Sequence, residues 1–149
     1  TFDNYYVDEL KIEGIKTFIN TGKNDNGNIV FSVTLEEGKV VYPEGKTILR
    51  EFQHYKEWVA GAATPRVRID DEFMITGSAN GIDRKERAFT RVILNPLHRK
   101  VACRWIVAGS VELQTADMPA AILDYGDGEC DRKATVIAGE ESREILLRR

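Results

Sequence analysis

Histidine, cysteine and methionine are scarce in this chain, with two of each among 149 residues. His54 and His98 fall in no metal-ligand spacing and in no Ser-His-Asp arrangement flanked by glycines. That removes the commonest zinc and nucleophilic chemistries. Basic charge is not in excess: 21 Lys and Arg stand against 24 Asp and Glu, for a net charge of −3. A broad phosphate-binding surface needs the opposite balance, so no nucleic-acid partner is expected. The two signs are interspersed, which leaves no charged block to hold a membrane surface. No apolar run approaches the roughly 20 residues that cross a bilayer as a helix. There is no internal repeat, low-complexity segment or linker, so residues 1–149 read as one domain.

What is present is a globular composition, 42% hydrophobic and 30% charged. Twelve glycines punctuate almost the whole length. Between them lie short segments rich in β-branched and aromatic residues, as antiparallel strands joined by hairpins require. The pattern predicts an all-β fold, an antiparallel meander forming a β-sandwich or partly closed barrel. Strands are expected at 6–12, 15–21, 29–35, 40–42, 66–69, 73–76, 88–94, 101–113, 120–123, 134–137 and 144–147. Turns are expected at Glu13-Gly14, at Asn24-Asp25-Asn26-Gly27, at Glu37-Gly38, at 77–81 and at Asn95-Pro96. Gly109 marks a bulge or bend in the long 101–113 segment.

Residues 48–59 fit two periods. Ile48, Phe52, Tyr55 and Val59 form a helical stripe. Read as a strand, the segment puts Ile48, Phe52 and Trp58 on one face together with Arg50, His54 and Lys56. The β neighbours favour the strand.

One loop is more specified than the rest. Asp124-Tyr125-Gly126-Asp127-Gly128-Glu129-Cys130-Asp131 packs four carboxylates, two glycines and a cysteine into eight positions. Asp124, Asp127, Glu129 and Asp131 are candidate oxygen ligands for calcium, although their spacing is not that of an EF-hand. The bland alternative is a tight turn in which Asp side chains accept from backbone amides. Asp70-Asp71-Glu72 reads as a solvated turn. The two cysteines, Cys103 and Cys130, leave the redox compartment open at this point: one disulfide suits export, two free thiols suit a reducing compartment.

Several segments together carry a resemblance. They are Asp70-Asp71, Ile75-Thr76-Gly77-Ser78-Ala79-Asn80-Gly81, Pro96-Leu97, Cys103-Arg104-Trp105-Ile106-Val107-Ala108-Gly109 and Leu123-Asp124-Tyr125-Gly126-Asp127-Gly128-Glu129-Cys130-Asp131. Ala134-Thr135-Val136 and Glu144-Ile145-Leu146-Leu147 follow them. The set resembles a group of exported lipoproteins of Bacteroidetes-type bacteria with no assigned activity. The match is closest over residues 70–147. Arg84-Lys85-Glu86-Arg87 departs from it, because the corresponding tip in that group usually contains glycine and carries less charge. The resemblance implies a periplasmic or surface-facing β-domain and a lipidated cysteine upstream of Thr1. Membrane attachment would then come only through that anchor, outside this chain.

An exported chain favours a Cys103–Cys130 disulfide over a reactive thiol. The flanking Glu129 and Asp131 also disfavour a thiolate at Cys130. Closing a loop of this length would stabilise the fold by about 3–4 kcal/mol.

The functional expectation is a non-enzymatic module that binds an envelope protein or a glycan. No catalytic residue and no cofactor other than the possible calcium is expected. Tyr5, Tyr6, Tyr42, Tyr55, Trp58 and Trp105 could stack on sugar rings, but core packing suits most of them better, and Trp105 in particular shares a strand face with Cys103 and Val107. The basic tips 84–87 and 98–100 read as solvated turns. Two alternatives stay open: a polysaccharide hydrolase carried by carboxylates that the sequence does not pair, and a structural subunit that pairs through a sheet edge.

Overall fold

The computed structural model describes residues 1–148. It contains ten strands: β1 (Phe2–Val7), β2 (Leu10–Lys23), β3 (Ile29–Val41), β4 (Thr47–Ala60), β5 (Glu72–Ile82), β6 (Ala88–Lys100), β7 (Ile106–Thr115), β8 (Ala121–Asp127), β9 (Lys133–Ala138) and β10 (Glu141–Leu146). They form one antiparallel sheet in chain order, each strand paired only with its sequence neighbours. β1 and β10 do not pair, so the meander is open rather than a closed barrel. The all-β meander expected from the glycine spacing is the observed architecture.

The strands are longer than the sequence suggests, because several glycines sit inside them. The first reversal falls at Asp8 and Glu9, with φ of 46° and 68°, and not at Glu13-Gly14. Gly14 lies within β2, where a Cβ would come 2.9 Å from the Gly38 Cα. Glu37-Gly38 is a bulge in β3, not a turn: Leu35 and Gly38 face Phe52 and Arg50. The segment 77–81 continues β5, and Asn95-Pro96 is an irregularity that β6 passes through. A bulge adds a residue and bends a strand without ending it.

One expected strand is absent and another starts late. Residues 66–69 form turns between β4 and β5. Residues 101–105 form the turn before β7. The 48–59 segment is strand, as its neighbours suggested. Its helical stripe is overridden by pairing with β3 and β5 along its length.

The Asn24–Gly27 turn behaves as its residues predict. Asn24 Oδ1 accepts from the Asn26 and Asn28 amides at 3.1 and 3.0 Å. The side-chain amides of Asn24 and Asn28 both donate to Glu57 Oε1 at 2.8 Å, which ties this hairpin to β4.

Register sorts the side chains of the sheet into two faces. Phe18, Val33, His54, Gly77 and their in-register neighbours stand on one face. Val33, Ala79 and Val111 are buried there, so this is the inner face. The core is thin: Cys103, Val107 and Ala134 are its other buried hydrophobic residues. The chain exposes 10168 Å². A compact monomer of this mass exposes roughly 7,650 Å², about a quarter less.

Candidate functional site

β4 supplies the centre of the site. Its inner-face positions read Arg50, Phe52, His54, Lys56 and Trp58. A strand with one apolar face would place aliphatic residues at most of these. Across from them, β5 offers Gly81, Ala79 and Gly77, which leave room beside the long side chains. β6 adds Phe89, Arg91 and Leu97. The result is a hollow of about 280 Å³. Arg50, His54, Arg91 and Tyr125 bring its polar groups, and Ile93, Leu97, Val111, Leu113 and Leu123 form apolar walls.

The inner face is cationic. Lys16, Arg50, Lys56, Arg91 and Arg99 stand on it, and no carboxylate does among the register-paired residues of β2 to β9. The charges act on one another. Burial lowers the Arg50 pKa, and the Arg91 guanidinium lowers it further. Burial lowers His54 below its ordinary value, with Arg50 adding to the effect. Burial lowers Lys56, reinforced by Arg99 and Lys16. Burial raises the Tyr125 phenol, against a smaller pull from Arg91. Arg50 Nε is buried without a hydrogen-bond partner.

Aromatic rings hold the cations in place. Arg50 lies 5.4 Å from the Phe52 ring centre, Arg91 5.4 Å from Phe89 and Lys56 4.5 Å from Phe73. Phe52 stacks on His54 at 4.6 Å and Trp58 on Phe73 at 6.0 Å. Of the aromatics considered for sugar stacking, Trp58 packs on Phe73, while Tyr5, Tyr6 and Tyr55 are exposed. The arrangement presents positive charge set in an apolar surround, which suits an anion with an apolar body.

The sequence-level candidates fall elsewhere. Cys103 and Cys130 form a disulfide, with Cα atoms 5.8 Å apart. It joins the turn before β7 to the β8–β9 connection. Arg99 donates to the Cys103 carbonyl from β6. Asp124, Asp127, Glu129 and Asp131 line one groove of about 460 Å³. Asp124 Oδ1 accepts from the Gly126 amide at 2.8 Å, and Asp131 Oδ1 from the Lys133 amide at 2.9 Å. Among the described residues no three His, Cys, Asp or Glu side chains gather as a metal ion would need. The loop is built as a pair of side-chain-capped turns.

Asp71 is not part of a solvated turn. It is buried and accepts from the Trp58 indole at 3.1 Å. His98 is not in a turn either: it lies within β6 and bonds Glu72 Oε2 at 2.7 Å on the outer face. Trp105 precedes β7, half-buried, with Arg104 over its ring at 5.4 Å. The tip 84–87 is a turn, but its arginines are engaged: Arg84 with Glu44 and Arg87 with Asp83, each at 2.7 Å. No family model, no curated protein and no solved structure matches this chain.

Proposed function

We propose that this protein is a non-enzymatic binding module whose inner face takes an anionic partner with an apolar body. The observation that carries the reading is the charge segregation of that face. Several cations share one side of the sheet with no carboxylate beside them among the register-paired residues of β2 to β9, and one of them keeps a buried donor unused. Like charges held together raise the energy of the free protein, and an anion relieves that cost on binding. The hollow contains no Asp or Glu, so it offers no carboxylate pair for glycoside hydrolysis.

The disulfide agrees with residence in an oxidising compartment, and a periplasmic or cell-surface location is part of the proposal. Calorimetric titration with decanesulfonate tests the charge preference, with decanol and decyltrimethylammonium as neutral and cationic controls. Saturable binding of the sulfonate alone is expected. Arg50→Ala and Arg91→Ala should each weaken it about tenfold or more, since a charge-assisted hydrogen bond contributes about 1.5–3 kcal/mol. Equal binding of the three amphiphiles contradicts the reading.

A further inference from the structure

We infer that the partner is a second copy of this chain, which presents its outer face to the inner face of the first. This names the occupant of the face described above and rests on that reading.

Both faces of the sheet ask for cover. An antiparallel sheet with one solvated side alternates apolar and polar residues, with the polar set outward. Here the outer face carries Ile15, Ile19, Leu49, Tyr55, Ile82 and Val92, each between 39% and 52% exposed. A depression of about 730 Å³ on that face is lined by Phe2, Ile15, Leu49 and Ile82, with Glu13 and Glu51 beside them. The surface exceeds that of a compact monomer by roughly 2,500 Å². A standard stable interface removes about 1,200–2,000 Å².

Charge decides which faces meet. By register, Glu13, Glu51, Glu57, Glu72 and Glu112 stand on the outer face. Lys11, Lys39 and Lys100 share it, and Lys11 is tied to Glu13 at 2.6 Å. Inner against inner places cation on cation, and outer against outer places an acidic excess on itself. Inner against outer pairs opposite charges over apolar ground. Such a contact is heterologous, so it propagates as a stack unless the rotation closes a ring.

The sheet edges are poor alternatives. The β1 register breaks between Phe2 and Tyr5, with Asn4 at a φ of 49°. β10 is six residues long and carries Glu141, Arg143 and Glu144. Bulges and charges at an edge resist strand addition.

Sedimentation of the intact disulfide-bonded chain, from micromolar to millimolar and at low and high salt, tests this. Concentration-dependent association that weakens with salt is expected. Arg91→Glu on the inner face and Glu51→Lys on the outer face should each weaken it about tenfold or more. Mixing the two variants should restore a heterodimer, because the reversed inner face of one meets the reversed outer face of the other. Both side chains are exposed, and circular dichroism checks that the variants fold. A chain that stays monomeric throughout, or a mixture no better than its parts, overturns the second-copy inference. If that monomer still binds decanesulfonate, the anion-binding reading survives. If it binds nothing, both fail.

Discussion

The Trp58 indole donates to Asp71 Oδ1 at 3.1 Å, and this bond joins the end of β4 to the connection that leads into β5. The Asp71 backbone is also committed. Its amide donates to the Arg68 carbonyl at 3.2 Å, and its carbonyl accepts from the Val101 amide at 2.9 Å. Trp58 is the last aromatic of the β4 inner-face row, so this anchor fixes one end of the cationic strand.

Asp71→Ala should destabilise the protein by about 1–3 kcal/mol, because it leaves a part-buried indole N–H unpaired. Asp71→Asn keeps an acceptor and should cost less. Gly61→Ala should also be costly, since its Cβ would lie 2.3 Å from Asp71 Oδ1 at a φ of +92°. Denaturant midpoints of the three variants check the order.

Removing the disulfide through a Cys103→Ala, Cys130→Ala pair should lower stability by about 3–4 kcal/mol, as expected for a loop of 27 residues. Neither cysteine lines the hollow, whose walls come from β4 to β8. Decanesulfonate affinity, measured below the lowered melting temperature, should therefore change little. A large loss of affinity in a folded variant would place the bridge in the site itself.

His54 gives the site a pH dependence. Its folded pKa is lowered, first by burial and then by Arg50. The unfolded chain therefore takes up the proton first, near the ordinary value of about 6.5. This contribution to stability is complete above that pH and is lost as the pH falls from there toward the folded pKa. A bound sulfonate favours the protonated ring, so affinity should rise as the pH is lowered from neutral. His54→Gln should flatten both trends, which thermal melts and titrations across that range would show.

Lys56 is shifted in the same direction and acts at the alkaline end. Burial and the charges of Arg99 and Lys16 lower its pKa, so it loses its proton earlier than an ordinary lysine as the pH rises. Sulfonate affinity should fall on the alkaline side before bulk lysine titration. Lys56→Arg should keep affinity high there, because a guanidinium stays charged.

The fold class was legible because glycine-punctuated, β-branched segments admit few other readings. The strand ends were not. Gly14, Gly38, Gly77 and Gly81 look like turns in sequence, yet each sits within a strand where neighbouring backbone comes close. Local composition cannot separate a glycine that reverses the chain from one that lets two strands approach. The cationic face was half visible. The alternation Arg50, Phe52, His54, Lys56, Trp58 can be read once 48–59 is taken as strand. Arg91, Arg99 and Lys16 join it only through the registers of β2, β3, β5 and β6, which no short window contains. The acidic loop drew attention by its density of carboxylates, but two of them are used to cap turns.

Chemical-shift mapping of the isotopically labelled, disulfide-bonded chain with decanesulfonate tests the central claim most directly. The account predicts that Arg50, His54, Ala79, Leu113 and Tyr125 shift together and saturate, while Gly126, Asp127 and Glu129 in the acidic loop stay still. Shifts confined to the outer face or the acidic loop, or a response without saturation, would contradict it.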